Sequence, residues 1–359
     1  MIVNGKNLTT IWYDNSFDKV KIIDQTLLPF EFKILVLNTL SDAAYAIKNM
    51  QVRGAPLIGV TAAYGMYLAS KEKSDFDHLF ESGEILKNTR PTAVNLSWAV
   101  DKILKKIKDI SSDKRSENIL NLANQIRQKD IDACEKIGEN GFKLLKKIYE
   151  EKKSTINILT HCNAGWLATV DWGTALSPIF KANKNNIPIH VWVDETRPRN
   201  QGFNLTAWEL INENISNSLI VDNVGGHLMQ NGMVDVCITG TDRTTLNGDV
   251  CNKIGTYLKA LAAYDNKIPF YVAAPISSID FNILDAFSEI IIEERNENEV
   301  SYIYGLNSEG NLEKIKIVPQ NASCKNYAFD ITPAKYITKI ITEKKVINAN
   351  KLSISELIK

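Results

Sequence analysis

The sequence predicts an α/β protein whose C-terminal part is a Rossmann-like parallel sheet and whose smaller N-terminal domain is mostly helical and carries a short β-meander. After residue 150, short runs that are apolar throughout alternate with helical stretches, which is typical of a parallel sheet covered on both faces. Between residues 41 and 150, apolar side chains recur at three- and four-residue spacing, the period of an amphipathic helix. Residues 1–40 contain short apolar runs bounded by turn-forming residues, which favours strands.

The N-terminal pattern predicts two strands followed by four helices. The strands cover residues 11–13 and 20–23, and the helices cover residues 43–50, 57–70, 93–107 and 117–149. We expect a domain boundary near residue 130, inside or just before the last of these helices. Residues 1–130 would then form the N-terminal domain with the meander and helices, and residues 131–359 the Rossmann-like domain.

The C-terminal pattern predicts five strands and three intervening helices. The strands cover residues 156–160, 189–193, 234–239, 268–273 and 290–292, and the helices cover residues 169–184, 205–214 and 254–264. A further short helix is expected after Val346. Because helical crossovers join parallel strands, these runs indicate one sheet with helices on both faces.

The composition argues against two classes of partner. Lys and Arg total 42 and Asp and Glu total 42, so the formal net charge is zero. A nucleic-acid partner usually requires a basic excess, and we expect none here. No apolar run is long enough to span a bilayer, and the N-terminal residues do not have the pattern of a secretory signal. We therefore expect no membrane partner.

The five cysteines are scattered singly along the chain, at positions 134, 162, 237, 251 and 324. Without a C-x-x-C pair, a structural zinc site is not suggested. Free thiols fit a reducing cytoplasm best. No G-x-G-x-x-G follows a strand and the P-loop spacing does not occur, so neither of these nucleotide sites is supported.

Polar residue types follow the predicted strands at the point where each strand ends. The first strand of the sheet continues into T160-H-C-N-A-G, the second into D194-E-T-R-P and the third into G240-T-D-R. Doubly wound sheets bind ligands outside the carboxyl ends of their strands. We therefore expect these three segments to form one rim of an active site.

Cys162 is the strongest candidate for a reactive side chain. It would lie between a strand end and the start of the next helix, where helix amides and nearby cations lower a thiol pKa. The alternative is a small buried cysteine, which the neighbouring His161 and Asn163 disfavour. Cys237 lies inside an apolar strand and is predicted to pack in the core, whereas Cys251 could line the site without reacting.

Asp242 follows Gly240 and Thr241 at another strand end. Desolvation there would raise the pKa of its carboxyl group and let Asp242 act as an acid near neutral pH. A helix N-cap or an ion pair with Arg243 explains the same residue equally well. The residues alone therefore leave the role of Asp242 open.

Two arginine-containing turns occur in the helical domain. Arg53 opens R53-G-A-P, whose proline suits the first position of a helix, and Arg90 opens R90-P-T. An arginine beside the exposed amides of a helix start is suited to binding phosphate. Each arginine taken alone could instead form a surface ion pair. The glycine-containing loop 247–255 could also bind phosphate or sugar hydroxyls.

Segments distributed over nearly the whole chain resemble the methylthioribose-1-phosphate isomerase family, which is related to the regulatory subunits of translation initiation factor 2B. They are R53-G-A-P-L-I-G-V, R90-P-T-A-V-N-L, T160-H-C-N-A-G, D194-E-T-R-P, Q201-G, L205-T-A-W-E-L, G240-T-D-R, N247-G-D-V-C-N-K-I-G-T-Y, I268-P-F-Y-V-A-A-P and F329-D-I-T-P. Any one of them alone is weak, but jointly they are highly specific.

The resemblance implies an isomerase that interconverts 5-methylthioribose 1-phosphate and 5-methylthioribulose 1-phosphate in methionine salvage, a route of methionine biosynthesis. Cys162 and Asp242 match the catalytic pair of the family. The substrate-binding positions are matched by Arg53, Gly54, Ala55, Arg90, Gln201, Asn252 and Lys253. The family fold has a smaller N-terminal domain and a Rossmann-like C-terminal domain, usually as a homodimer. No metal or organic cofactor is expected.

The residue types suit this reaction. Because phosphate occupies the anomeric carbon, the sugar ring cannot open as a free hemiacetal does, and an acid, for which Asp242 is the candidate, must assist at the ring oxygen. Hydrogen must then move from the second carbon to the first. Either a Cys162 thiolate removes the proton, or hydride shifts directly while Cys162 stabilises charge. Both routes benefit from a dry, closed site, so closure of the domain that carries Arg53 and Arg90 over the phosphate is a further hypothesis.

Trp166, Thr241 and Cys251 depart from the commonest family residues at their positions. They remove no presumed catalytic group, but they leave the 5-substituent of the sugar open. An isomerase of 5-deoxyribose 1-phosphate or a related sugar 1-phosphate is therefore a second hypothesis. A non-catalytic regulatory protein similar to initiation factor 2B is a third, and a plain sugar-phosphate binding protein would bind without forming product. The presence of both presumed catalytic side chains favours the enzyme.

Overall fold

The computed structural model describes residues 1–3, 5–90 and 94–358 of the chain. The fold divides into two compact units. The first comprises Met1–Lys136 and Ala164–Thr174, and the second comprises Ile137–Asn163 and Ala175–Lys359. The chain therefore passes from one unit to the other between Asn163 and Ala164, inside the T-H-C-N-A-G stretch.

The first unit begins with five short strands in two sheets. Their bounds are β1 Ile2–Val3, β2 Lys6–Asn7, β3 Ile11–Asp14, β4 Lys19–Ile23 and β5 Ile34–Leu37. Strands β3, β4 and β5 pair antiparallel in sequence order, which confirms the predicted β-meander. Strand β5 was not expected, because its run of four apolar residues lacks the alternation typical of a half-buried strand.

Five helices follow the meander. Their bounds are α1 Leu40–Lys48, α2 Ala55–Glu72, α3 Phe76–Thr89, α4 Val94–Ile107 and α5 Ser112–Lys152. Helix α2 is buried along almost its whole length from Leu57 to Ser70, and α1, α3 and α4 pack around it. The periodicity did not predict α3, whose apolar side chains are more widely separated by charged ones. Helix α5 runs from the first unit into the second, and the boundary predicted near residue 130 falls on it.

Residues 164–174 contribute a compact turn to the first unit, with a single 3₁₀ turn at Trp166–Ala168. The prediction of a helix over residues 169–184 is wrong for its first half. Trp172 and Gly173 adopt positive φ angles of 67° and 76°, and a Cβ at Gly173 would lie 2.3 Å from the carbonyl carbon of Gly165. This close approach requires glycine and is incompatible with a helix, which begins only at Ser177.

The second unit is built on a seven-stranded sheet, whose order is β18-β17-β12-β9-β6-β7-β8. The strands are β6 Ile156–Thr160, β7 Ile189–Asp194, β8 Asn217–Ile220, β9 Val236–Thr239, β12 Phe270–Ala273, β17 Lys339–Ile341 and β18 Val346–Ile347. All neighbours are parallel except β17 and β18. The predicted parallel sheet is thus confirmed.

The order of the strands identifies the point where a ligand would bind. From β6 the chain proceeds to β7 and β8 on one side of the sheet, and then returns to β9, β12 and β17 on the other. The order reverses between β6 and β9. In open α/β sheets the crevice outside the carboxyl ends of two such strands is the usual ligand site.

The described residues of the second unit also form short helices. They are α6 Ser177–Lys184, α7 Ala207–Asn212, α8 Gly225–Gln230, α9 Thr256–Asp265, α10 Ala286–Glu289, α11 Asn298–Ser301 and α12 Lys351–Ser355. The prediction of a helix over residues 205–214 is confirmed from Ala207 onward, and a π-helical turn at Gly202–Thr206 precedes it. The short C-terminal helix is confirmed as α12.

The strand predicted at residues 290–292 is wrong. These residues follow α10 without joining a sheet, and Ile291 is 90% exposed. A run of three isoleucines satisfies a strand pattern locally, but no neighbouring strand is available to pair with it. The sheet is instead completed by β8 and β17, which the sequence did not predict.

Two smaller sheets complete the second unit. A four-stranded sheet has the order β13-β10-β11-β16 and is formed by β10 Arg243–Thr245, β11 Val250–Lys253, β13 Ile279–Asp280 and β16 Phe329–Thr332. A separate hairpin pairs β14 Tyr302–Leu306 with β15 Leu312–Lys316. Among the described residues, no helix combines the length and apolar character needed to cross a membrane.

Candidate active site

The topological switch of the sheet carries both candidate catalytic residues. Cys162 follows β6 by two residues, and Asp242 follows β9 by three. Strands β6 and β9 are parallel neighbours, with Leu159 opposite Cys237, so both loops leave the same edge of the sheet. The prediction that these strand ends share one rim therefore agrees with the topology.

The backbone of Cys162 is held in an uncommon conformation. Its φ angle is 68°, a left-handed region that non-glycine residues rarely adopt. The amide of Cys162 donates a hydrogen bond to Thr196 Oγ1 at 2.8 Å, and its carbonyl accepts one from Thr206 Oγ1 at 2.7 Å. Two threonine hydroxyls thus fix both polar groups of the residue that carries the thiol.

No α-helix starts at Cys162, contrary to the prediction. The next α-helix of the second unit along the chain begins only at Ser177, so Cys162 does not lie at the start of the helix that follows β6. Cys162 remains partly exposed, and Asn163 beside it donates a hydrogen bond to buried Glu209 at 2.8 Å. The loop is thus held on both sides of the thiol, while the residue that carries it retains access to solvent.

His161, directly before Cys162, is buried between two hydrogen-bond acceptors. Its Nδ1 lies 2.8 Å from Asp194 Oδ2 and its Nε2 lies 2.8 Å from the carbonyl oxygen of Ile254. A carboxylate and a carbonyl oxygen both accept, so each contact is a hydrogen bond where the facing ring nitrogen carries a proton. Lys259 Nζ lies 3.2 Å from the same Asp194 oxygen. The network joins the loop after β6 to the loop after β7 and to α9.

One group of described side chains has donor atoms close enough together to hold a metal ion, namely His161, Asp194 and Asp222. Asp194 Oδ2 already contacts the His161 ring and the Lys259 ammonium group. With the His161 ring and the Lys259 ammonium group already at this carboxylate, the group is better described as a buried polar network than as a metal site.

Asp242 is anchored through its backbone and is exposed at its side chain. Its amide donates a hydrogen bond to the carbonyl oxygen of Cys251 at 3.0 Å. The predicted desolvation of this carboxyl is therefore not present in the structure. Cys251 is buried, and burial together with the negative charge of Asp242 raises the pKa of its thiol to about 12. Cys251 is thus a buried residue whose backbone contacts that of Asp242.

The end of β11 carries two of the predicted substrate-binding residues. Asn252 is buried and donates a hydrogen bond to Thr256 Oγ1 at 3.0 Å. Lys253 Nζ donates to the carbonyl oxygen of Ala328 at 2.9 Å and lies 4.4 Å from the centre of the Phe329 ring. These contacts hold the lysine close to the backbone of β16, with part of its side chain accessible.

Gln201 lies at the start of the π-helical turn after β7. It is only 6% exposed, and its Oε1 has no hydrogen-bond partner within the part of the chain that the structure describes. A buried amide oxygen without a partner is costly unless something donates to it. A bound hydroxyl group would satisfy it, as expected for a substrate-binding residue.

In the first unit, the R53-G-A-P turn forms the start of α2. Gly54 is the N-cap with a φ of 86°, and no side chain caps the helix. A Cβ at Gly54 would lie 2.1 Å from the carbonyl oxygen of Ala168, so only glycine fits. Arg53 is buried, with Nη2 3.4 Å from the carbonyl oxygen of Gln25. The arginine and the uncapped helix start, including Ala55, keep the character of an anion site.

Arg90 is the C-cap of α3. The three residues after it, 91–93, lie outside the described residues, and α4 begins at Val94. The structure therefore locates the arginine of the R90-P-T turn at the end of one helix and shortly before another, without describing the turn itself.

Sequence reasoning missed the residues that hold the site in shape. Thr196, Thr206, Asp194 and Lys259 were not singled out, although the D194-E-T-R-P and L205-T-A-W-E-L segments that contain three of them were noted. The available signal was position. Thr196 follows β7 by two residues, as Cys162 follows β6, and parallel neighbours present such positions side by side.

Fold and site together define an α/β protein that holds a thiol and a carboxyl group at the switch point of a doubly wound sheet. Comparison with known families identifies it further. The profile described as the Initiation factor 2 subunit family matches residues 51–349, and the chain belongs to this family. The resemblance seen in the motifs is thereby confirmed.

The similar proteins include enzymes and initiation-factor subunits. Methylthioribose-1-phosphate isomerase of Escherichia coli O45:K1 is 53% identical over 359 residues, covering 99% of this chain and 96% of that protein. The crystal structure of 5-methylthioribose 1-phosphate isomerase from Pyrococcus horikoshii OT3 has a TM-score of 0.85 at 39% identity, covering 98% of this chain and 96% of that one. The structure of translation initiation factor eIF-2B subunit delta from A. fulgidus has a TM-score of 0.81 at 36% identity, covering 98% and 100%.

Proposed function

We propose that this protein is an aldose–ketose isomerase that converts 5-methylthioribose 1-phosphate into 5-methylthioribulose 1-phosphate, a step of methionine salvage. The substrate is supported by likeness over nearly the full chain to proteins named as isomerases of this sugar phosphate. The observation that carries the chemistry is the location of Cys162 and Asp242 at the ends of β6 and β9, where a doubly wound sheet binds its ligand.

Asp242 acts as the acid that opens the sugar ring. It protonates the ring oxygen, the bond from that oxygen to the first carbon breaks, and the phosphate oxygen stabilises the cation that forms. The carboxyl is exposed in the ligand-free protein. A sugar phosphate bound above it would exclude water and bring a phosphate dianion near, and both effects raise a carboxyl pKa. The acid form would thus be favoured when substrate is present.

Cys162 acts at the second carbon. As a thiolate it removes the proton there, which gives an enol. The Cys162 thiol then returns a proton to the first carbon, the hydroxyl proton on the second carbon passes to the Asp242 carboxylate, and the ketose 1-phosphate is formed with both side chains restored. In the alternative route, hydride moves directly from the second carbon to the first and Cys162 stabilises the developing charge. The fixed backbone of Cys162 supports either role, since both require a thiol held at one position.

The remaining predicted residues bind the substrate. Arg53, with the amides of Gly54 and Ala55 at the start of α2, suits the phosphate, and we assign Arg90 to the same group. Gln201, with its buried amide oxygen, suits a sugar hydroxyl. Asn252 and Lys253 at the end of β11 complete the set of substrate contacts.

Incubation of the purified protein with 5-methylthioribose 1-phosphate, followed by ³¹P NMR, tests this proposal. We expect conversion to the ketose 1-phosphate with a kcat of about 1–10³ per second, the usual range for enzymes. Turnover is expected without added metal or cofactor. If neither this sugar nor its 5-deoxy and ribose analogues is converted, the isomerase proposal is refuted and a regulatory role, similar to that of the initiation-factor subunits, is favoured.

We further propose that the enzyme is a cytoplasmic homodimer. No disulfide joins its five cysteines, all of which lie in the described part of the chain, as suits a reducing compartment. Helix α9 exposes Leu258 and Tyr264 by 59% and 62%, and such large apolar side chains on one helix are typical of an association surface. Sedimentation equilibrium should give twice the mass of one chain.

A further inference from the structure

Thr196 carries a strained backbone that the fold maintains from several directions. Its φ is 64° and it is fully buried. For a β-branched residue, this left-handed conformation is a genuine outlier. Strain of this kind persists only where the surroundings enforce it, and it concentrates at functional sites. A buried, strained threonine that touches Cys162 therefore calls for a functional explanation.

Asp222 enforces this conformation. Its Oδ1 accepts a hydrogen bond from the amide of Thr196 and its Oδ2 accepts one from the amide of Arg197, both at 2.8 Å. A single carboxylate thus binds two consecutive amides and fixes the turn after β7. The segment cannot relax to a more common backbone conformation without losing charge-assisted hydrogen bonds.

The hydroxyl of Thr196 is directed as a consequence. Its one proton is donated to the carbonyl oxygen of Asp194 at 3.2 Å, so a lone pair is left to accept from the amide of Cys162 at 2.8 Å. The direction of both hydrogen bonds is set by chemistry, because a hydroxyl has one donor. The contacts therefore form a chain from Asp222 through Thr196 to Cys162, in which each residue fixes the backbone of the next.

We propose that Thr196 is a positioning residue, whose hydroxyl holds Cys162 in the left-handed conformation and thereby directs the thiol at the sugar. This inference rests on the proposed function, in which Cys162 acts at the second carbon. The hydroxyl of Thr206 holds the carbonyl of Cys162 from the other side. Without Thr196 the Cys162 peptide can rotate, and small displacements of a reacting group cost large factors in rate.

Two variants of Thr196 separate the hydroxyl from the side-chain shape. Thr196→Val keeps the branched shape and removes the hydrogen bond, whereas Thr196→Ser keeps the hydroxyl. We expect Thr196→Val to lower kcat by about 10- to 100-fold with little change in KM, and Thr196→Ser to stay within about threefold of wild type. Equal losses in both variants, or a wild-type kcat in Thr196→Val, would overturn the proposal.

A second readout does not depend on turnover. The rate of alkylation of Cys162 by iodoacetamide, with Cys162→Ser as the background for the other thiols, reports the position of the thiol directly. We expect the rate to change at least about threefold in Thr196→Val and to be restored in Thr196→Ser. If Cys162 of the wild type is alkylated but no sugar is converted, the proposed function is refuted. The positioning role of Thr196 is then decided by the alkylation rates of the two Thr196 variants.

Asp222→Asn covers the case in which Thr196→Val does not fold. An amide can accept only one of the two backbone hydrogen bonds, so the turn is loosened while Thr196 keeps its hydroxyl. We expect a smaller loss of kcat, about three- to tenfold, together with an alkylation rate of Cys162 that differs from that of the wild type. A folded Asp222→Asn with wild-type kcat and alkylation would contradict the proposed chain of contacts.

Discussion

At the scale of single residues, three cysteines near the sheet differ in what surrounds the thiol. Cys237 is fully buried inside β9, where burial raises the pKa of its thiol. Cys251 is buried beside Asp242, and its thiol pKa is about 12. Cys162 alone of these three is partly exposed and has a left-handed backbone. The sequence separated Cys237 from Cys162, because a strand interior and a strand end are different environments, but it left the role of Cys251 open, since strand β11 was not predicted.

The proposed catalytic roles of Cys162 and Asp242 can be tested by substitutions that preserve the shape of each side chain. Cys162→Ser replaces the thiol with a much weaker base, and Asp242→Asn cannot deliver a proton. We expect each change to lower kcat by about 10²- to 10⁴-fold, the usual contribution of an acid or base group. Steady-state kinetics on protein whose circular dichroism matches the wild type measures the effect. A variant that keeps a near-wild-type kcat would remove that residue from the mechanism.

For Cys237 we expect a substitution to change stability and to leave activity unchanged. It packs in the core around Leu159, Phe270 and Val272, as predicted from its place in an apolar strand. Cys237→Ser introduces a hydroxyl group into this core, so we expect the free energy of unfolding to fall by about 1–3 kcal/mol, with kcat of the folded protein unchanged. Urea denaturation measures the free energy of unfolding, and the isomerase assay measures kcat. A variant of normal stability that is inactive would contradict the structural role.

The sequence predicted where the candidate site residues lie relative to the strands, but it could not predict their backbone and side-chain conformations. These conformations depend on contacts between segments that are far apart in the chain. Examples are the left-handed φ of Cys162 and Thr196, the buried amide oxygen of Gln201 and the exposure of Asp242. Thr196, for example, is fixed by Asp222, 26 residues away. Residue type and local pattern carry no information about such contacts, which explains why the predicted desolvation of Asp242 is not observed.

At the scale of elements, predictions succeeded where the local pattern had one interpretation. The run at residues 156–160 is a buried strand because it is apolar and bounded by polar residues. Residues 290–292 satisfy the same description but have no strand to pair with. The helix predicted from residue 169 begins at Ser177 because Gly173 approaches Gly165 too closely for a regular helix. Pairing and close approach are tertiary properties, so they decide between patterns that look alike locally.

Helix α5 and the 164–174 segment are linked by a titratable contact within the first unit. Asp130 on α5 accepts a hydrogen bond from the amide of Val170 at 2.7 Å. Burial, opposed by this hydrogen bond and by Arg127, raises the pKa of Asp130 to about 7. An unfolded carboxyl titrates near 3.8, so the folded protein binds this proton more tightly. The free energy of unfolding therefore decreases as pH rises from about 4 to about 7.

Asp130→Asn should remove this dependence on pH. The amide oxygen of asparagine can still accept from Val170, but the side chain cannot ionise. We expect the variant to melt a few degrees above wild type at pH 8, given about 2–4 °C per kcal/mol, and the difference to shrink as the pH falls to 5. Thermal melts at both pH values measure it. Asp132→Asn, at an exposed position of the same helix, serves as control, and a difference independent of pH would contradict the assignment.

At the scale of the whole molecule, the fold class could be predicted because alternating apolar strands and helices have few stable arrangements. The order of the strands could not be predicted, and neither could the small sheet that carries Asn252 and Lys253. Strands β8, β13 and β17 are only two to four residues long, which is too short to give a clear sequence pattern. Nor did any pattern indicate that the chain leaves the second unit between Asn163 and Ala164. The candidate residues in each unit came from the family resemblance, and local patterns alone left their roles open.

The choice of sugar is a property of the complete enzyme and gives the last prediction. Phosphate and ring hydroxyls are common to all the candidate substrates, so the contacts proposed for the two arginines and for Gln201, Asn252 and Lys253 would not distinguish between them. Discrimination must come from apolar contact with the 5-methylthio group, and one methylene in an apolar pocket is worth about 10- to 200-fold in kcat/KM. We expect kcat/KM for 5-methylthioribose 1-phosphate to exceed that for 5-deoxyribose 1-phosphate by about 10²-fold. A competition experiment with both sugars in one reaction measures this ratio directly. A ratio at or below one would instead favour an isomerase of the 5-deoxy sugar, in which Trp166, Thr241 and Cys251 would be the first residues to revert to the common family types.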